Sequence, residues 1–278
     1  MRIVLLTAAV ISLSACSMGG QPNGTYQAPQ PQPYMAGDYQ AQTPQHIQSN
    51  YRTAKFSVEA GVGKEFVAGG TLWDGELENP VVGVTANKIK MKDAFKTGTR
   101  YDVGASYALN PRLKISATAY KTKHKGKENL PVASFFGLPE VADVTDYDSY
   151  GIEAGLRKYG APVKTPLVKS IRPYIEARAG AAHVDDISFV NYTIGVAGAF
   201  PDQKIYDKGW APTGAGLIGF ETPVFNRFTM GVETGIRYNG KLNSNEMGDT
   251  TPGNIYEGAN SDGSKWSIPV SLRGRFRF

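Results

Sequence analysis

The sequence predicts an all-β fold: an eight-stranded antiparallel up-and-down transmembrane β-barrel behind a disordered amino-terminal tether. Three observations predict it. From residue 54 to the carboxyl terminus, apolar and polar residues alternate in segments of about ten, the length a tilted strand needs to cross a bilayer. Short and long connections alternate between these segments, as in an up-and-down barrel. Beyond the amino-terminal dozen residues, no run is apolar enough for a spanning helix, and only helices and closed barrels cross membranes.

The clearest element is the last. Trp266, Ile268, Val270, Leu272, Gly274, Phe276 and Phe278 occupy every second position, with Arg273, Arg275 and Arg277 between them. A strand sends successive side chains to opposite faces, so one face is apolar and the other carries three guanidiniums. Strand 1, residues 54–66, sets Phe56, Val58, Ala60 and Val62 against Glu59 and Gly61. Strand 2, 99–109, sets Tyr101, Val103 and Tyr107 against Asp102 and Ser106. A turn at Asn110-Pro111 leads to strand 3, 113–123. Strand 4, 148–159, opposes Tyr150, Ile152 and Leu156 to Glu153 and Arg157, and strand 5, 172–184, opposes Ile175 and Ala177 to Glu176 and Arg178. Strand 6, 210–221, is glycine-rich and does not reveal its facing; strand 7, 227–238, places Val232 and Ile236 against Glu233 and Arg237. Residues 81–91 and 188–197 are further strand candidates, above or within the membrane, so ten strands is the alternative count.

Ahead of the strands, Arg2 and an apolar run from Ile3 to Leu13 form a secretory signal. It ends in Leu13-Ser14-Ala15-Cys16, and Cys16 is the single cysteine of 278 residues. That sequence resembles the lipobox of bacterial lipoproteins, which implies a diacylglycerol on the Cys16 thiol and export to a cell envelope. The alternative is an ordinary signal with a chance cysteine. Ser17 permits the outer membrane under the sorting rule of well-studied lipoproteins. Three regions follow: a signal at 1–15, a Gln/Pro-rich tether at 16–53 and the barrel at 54–278. The tether, with Gln27-Ala28-Pro29-Gln30-Pro31, lacks the apolar surface to fold. As a coil it spans about 30–35 Å.

Periodicity alone leaves the wall's direction open. A soluble lipocalin-like barrel would turn its aliphatic face inward. The second face, however, collects Glu59, Glu153, Arg157, Glu176, Arg178, Glu233, Arg237, Arg273, Arg275 and Arg277 together with glycines. Small and oppositely charged groups suit a crowded lumen, so a lumenal ionic network is expected. Short turns after strands 2, 4 and 6 then share one side with both ends of the barrel.

Arg172-Pro173-Tyr174-Ile175-Glu176-Ala177-Arg178-Ala179-Gly180 resembles the fifth strand of small outer-membrane barrels such as the outer-membrane protein A transmembrane domain. Leu272-Arg273-Gly274-Arg275-Phe276-Arg277-Phe278 resembles their carboxyl-terminal assembly signal, with Phe276 and Phe278 as its aromatics. The resemblance implies the outer membrane, with its lipid and lipopolysaccharide, the barrel-assembly machinery and, through Cys16, the lipoprotein-sorting machinery as partners. Lipidation departs from the usual member, and no peptidoglycan-binding segment follows the barrel.

The formal charge of +5 comes without a basic stripe interleaved with aromatics, which argues against nucleic acid. His46, His124 and His183 are the only histidines, zinc-ligand spacing is absent, and no activated nucleophile stands near His183, Asp185, Asp186 and Ser188. No enzyme, metal or cofactor is expected. Function is expected in the four long connections, about 67–98, 126–147, 185–209 and 239–264, because loops on a rigid scaffold carry binding. The first holds Lys88, Lys90, Lys92 and Lys96, a cluster suited to a polyanion or simply to water; the second holds an apolar run, 131–139, suited to the barrel rim or the lipid interface. Three roles stay open: surface interaction and envelope integrity, a narrow anion-preferring channel, and lipid modification.

Overall fold

The computed structural model describes residues 55–77, 82–164, 170–194, 197–200, 202–245, 259–260 and 263–278. Cys16, the signal and the tether, with His46, lie outside the described residues. Eight long strands run β1 Phe56–Gly69, β2 Gly98–Asn110, β3 Leu113–His124, β4 Tyr147–Tyr159, β5 Arg172–Val184, β6 Gly209–Pro223, β7 Phe228–Asn239 and β8 Lys265–Arg277. Each pairs antiparallel with its chain neighbours, and β1 pairs with both β2 and β8, so the sheet closes on itself. Closure at eight rules out the ten-strand count. The candidate extra segments instead form Val84–Ala86, Ile89–Lys90 and Ile187–Ile194, outside the barrel sheet.

Sequence chemistry sets the short turns. Between β2 and β3 the Asn110 carboxamide oxygen accepts the Arg112 N–H at 2.9 Å, an Asx turn that reverses the chain. Between β6 and β7 the Val224 N–H reaches the Phe228 carbonyl at 3.0 Å.

Burial decides which way the wall points. On the apolar face Val62 is 46% exposed, Ile152 65% and Ile175 59%, whereas Arg157 is 0% and Glu176 3% exposed. Aliphatics therefore look out and charges look in, the polarity of a membrane-spanning barrel. The glycine-rich β6 follows the same rule, with Trp210, Ile218 and Phe220 outside and Thr213, Leu217 and Glu221 inside. Inward glycines make room for the ionic groups. A Cβ on Gly155 would lie 2.5 Å from the Ser116 hydroxyl and 2.9 Å from a Glu176 carboxylate oxygen.

The long connections fold as well. A seven-stranded sheet draws on all four: Val84–Ala86 from the first, Leu130–Phe135 and Leu138–Val144 from the second, Ile187–Ile194, Ala197–Phe200 and Gln203–Asp207 from the third, and Asn243–Ser244 from the fourth. Thr71–Trp73 pairs with Ile89–Lys90, and one helical turn, Met91–Ala94, follows. Beneath lies a conventional apolar core including Leu72, Trp73, Met91, Phe95, Val132, Ile187, Phe189 and Ile205. The apolar run of the second connection is thereby explained: Val132 and Ala133 are buried in this core, while Pro131 and the hairpin tip, Phe136 to Pro139, are exposed.

Candidate functional site

Two features have the geometry of a functional site: the lumen and the cap above it. Inside the barrel, side chains from opposite walls meet. Glu59 on β1 accepts Arg157 from β4 at 2.9 and 3.0 Å, Arg275 from β8 at 2.8 and 3.2 Å, Arg273 at 3.2 Å and the Ser106 hydroxyl at 2.7 Å. Glu176 takes Arg157 Nε at 2.8 Å, Arg178 at 2.9 Å and the Ser116 hydroxyl at 2.7 Å. Glu233 accepts Arg178 at 3.0 Å, Arg273 at 3.2 Å and the Tyr174 hydroxyl at 3.0 Å. Arg157, Arg178 and Arg273 thus each bridge two carboxylates, and the rigid guanidinium fork suits that task better than an ammonium would.

Toward the loop end, Arg237 pairs with Glu153, and Arg273 reaches Asp102 at 2.8 Å. Glu65 holds Lys265 at 3.1 Å and the Ser267 hydroxyl at 2.8 Å, while Lys265 also lies 3.1 Å from His124 Nε2. The Lys265 ammonium stands 3.9 Å from the centre of the Tyr147 ring, which belongs to the cap's core. Tyr147 is therefore the ceiling of the lumen and the floor of the cap. At the turn end, Glu221 pairs with Arg275 and, at 3.3 Å, with Arg277; Lys114 lies 5.3 Å from the Tyr159 ring. Such ions are costly to strip of water and persist because each charge meets several partners.

Alternation in the sequence does not single out Glu65, Arg100, Lys114, Glu221 and Lys265, all buried on this inner face. Most lie near strand ends, where the pattern is shortest; the inward phase Glu59, Gly61, Gly63, Glu65 was the available signal. Phe276 and Phe278 stand on the outer face, their rings 5.1 Å apart, and the Phe278 N–H closes onto the Phe56 carbonyl at 3.0 Å.

His183 is on the outer wall, stacked on Tyr150 at 5.0 Å and edge-on to Trp210 at 5.7 Å. Its Nδ1 lies 3.6 Å from Asp185, so the imidazole belongs to an interfacial aromatic cluster. Among the described residues, no group of three His, Cys, Asp or Glu side chains could hold a metal ion. In the third connection, Asp186 accepts the Lys208 N–H at 2.6 Å and pairs with Lys204 at 3.4 Å. That backbone donor, helped by Lys204, holds the Asp186 carboxyl below the usual aspartate range.

Of the four lysines in the first connection, Lys92 and Lys96 adjoin the second connection. The Lys96 N–H donates to the Lys125 carbonyl at 2.8 Å, and the Lys127 ammonium reaches the Lys92 carbonyl at 3.1 Å. Lys88 and Lys90 are exposed on either side of Ile89.

No family model and no curated protein matches the chain. Among solved structures it is similar to neisserial surface protein A, at 15% identity over 80% of this chain and 97% of that one, with a TM-score of 0.42. It is also similar to the attachment invasion locus protein of Yersinia pestis, solved with the heparin analogue sucrose octasulfate, at 14% identity, 81% and 99% coverage and a TM-score of 0.37. A third similar structure is the outer membrane protein OprG of Pseudomonas aeruginosa, at 13% identity, 82% and 97% coverage and a TM-score of 0.40.

Proposed function

We propose that the chain is an integral outer-membrane β-barrel, lipid-anchored through Cys16 at the periplasmic leaflet, whose folded loop cap serves envelope integrity or surface interaction. The observation that carries this reading is the pairing of an apolar outer wall with a lumen crossed by ion pairs, topped by a sheet that all four long connections build. An eight-stranded barrel has just enough interior for its side chains, and here they are buried arginines and glutamates. Its work is therefore at the ends and on the wall. Outer-membrane lipid, lipopolysaccharide and the barrel-assembly and lipoprotein-sorting machineries are the partners this role requires.

The test has two parts. The purified protein should migrate faster unboiled than boiled in detergent gels, and whole-cell protease should reach the cap. Radiolabelled palmitate should enter the wild type and be lost in Cys16→Ser. Absence of heat-modifiable migration overturns the barrel; palmitate retained in the variant overturns the anchor. A second reading, the narrow anion-preferring channel, draws on Lys114 and Arg277 at the turn-side mouth. Planar-bilayer recordings decide it, since chloride-selective steps would replace the structural role.

A further inference from the structure

On β6, β7 and β8 the loop-side edge of the apolar wall ends in aromatics: Trp210, Tyr238 and Trp266 stand there, with Tyr238 and Trp266 4.6 Å apart. The β1–β4 sector adds lysines to its outward aromatics Phe66, Tyr101 and Tyr150. Lys121 on β3 occupies an outward position in register between Tyr101 on β2 and Tyr150 on β4. One row above, Lys123 stands between Thr99 and Asp148, and Lys64 on β1 is the next outward neighbour, donating to the Thr99 hydroxyl at 3.0 Å. The outward phase continues past the end of β3 to Lys125, whose carbonyl receives the Lys96 N–H. Lys127 follows, its N–H on the Ala94 carbonyl at 2.8 Å. Six ammonium groups thus climb one side of the molecule from the aromatic girdle to the cap.

Their counter-ions are incomplete. Lys121 meets Asp148 at 3.5 Å and Lys123 meets Asp146 at 3.1 Å, both exposed pairs of the weak kind. Among the described residues, no ion pair joins Lys64, Lys96 or Lys125 to a carboxylate. Glu128 and Asp93 lie on the same loops, and the sector keeps a positive excess.

We propose that this sector binds the phosphorylated headgroup of a glycolipid in the loop-side leaflet. The proposal rests on the outer-membrane reading above and adds the site and the recognised chemistry. Position selects a lipid over a soluble polyanion. Lys121 is flanked by two lipid-facing tyrosines and lies above Ala117 and Ala119, so a bound phosphate is contiguous with acyl chains on the wall. Lysine stems lie along apolar surface while their ammonium groups reach the headgroup plane. Basic residues at an anionic membrane surface attract it in a salt-dependent way.

The full chain in phosphatidylcholine nanodiscs, offered diphosphoryl lipid A as the probe, tests this. The expected result is saturable retention that falls about tenfold or more in the combined Lys64→Gln, Lys121→Gln, Lys123→Gln, Lys125→Gln variant. The exposed cap pair Lys204→Gln and Lys208→Gln should leave retention unchanged. Wild type should also lose retention with dephosphorylated lipid A, an arm that needs no variant to fold. Equal retention with and without phosphates overturns the proposal, as does a quadruple variant that migrates as a folded barrel yet binds normally. Heparin oligosaccharide bound through the same lysines, with lipid A ignored, overturns the lipid source. Failure of the wild type to insert at all is a different result and removes the outer-membrane reading itself.

Discussion

The barrel and the cap solve the same problem with opposite arrangements. In the barrel, aliphatic side chains face outward and the interior is held by salt bridges such as Arg157 to Glu59 and Arg178 to Glu233. In the cap, Trp73, Phe189 and Ile205 are buried together, and Lys204 pairs with Asp186 and Asp207 at the exposed surface. One continuous chain crosses this inversion at each strand end. The medium around each part explains the difference. Where lipid surrounds the wall, apolar contact with the exterior costs nothing, so specificity must come from polar pairing within. Where water surrounds the cap, burial of apolar area supplies the driving force.

Removing a lumenal anion is expected to have the largest effect. Glu59→Ala leaves Arg157, Arg273 and Arg275 without a shared carboxylate, and we expect a loss of about 3–5 kcal/mol. Urea unfolding in detergent, followed by the heat-modifiable gel shift, would measure it; an effect below about 1 kcal/mol would make the network dispensable. Phe189→Ala should cost about 3–5 kcal/mol, but only within the cap. Limited proteolysis is then expected to cut the third connection faster while the barrel keeps its gel shift. Loss of both together would mean the two regions fold as one unit.

Ala154, outward and midway along β4, tests the wall. Ala154→Arg places a charge against lipid and should cost about 2–4 kcal/mol on insertion into vesicles. The smallest effect belongs to the cap surface. The depressed Asp186 carboxyl contributes stability that is fully present above its unfolded value and fades as pH falls through its lower folded value. Acid titration below the ordinary aspartate range should loosen the Lys208 amide in hydrogen exchange, and Asp186→Asn should abolish that pH dependence. An unchanged exchange profile would remove the carboxylate from the account.

The eight strands were legible because a two-residue period sustained over a dozen positions admits one interpretation, most plainly from Trp266 to Phe278. The cap was not. Its strands are short: Val84–Ala86 has three residues and Asn243–Ser244 two. Their partners come from other loops, so no local window contains the pattern. Phe95, Phe189 and Ile205 are scattered apolar residues in sequence and become a core only through contacts between connections. Strand ends were similarly opaque. Lys265 and His124 belong to the inner face, yet each sits at the last position where alternation can be followed. Lys121, Lys123 and Lys125 share a parity visible in the sequence, but their nearness to Lys64 and Lys96 arises only from pairing β1, β2 and β3.

The seam between β1 and β8 has a kinetic consequence. Lys265 joins Glu65 across 200 positions, and Arg275 joins Glu59 across 216. Glu59 and Glu65 are therefore synthesised about 200 residues before Lys265, Arg273 and Arg275. A chain that stops before β8 keeps Arg157 for Glu59 and Arg100 for Glu65 but lacks Lys265, Arg273 and Arg275. Closing so distant a contact is entropically slow, and little rewards partial assembly. The barrel sheet closes only through β8, so a stop codon near residue 264 is expected to yield material held by chaperones or degraded by proteases, rather than a seven-stranded remnant.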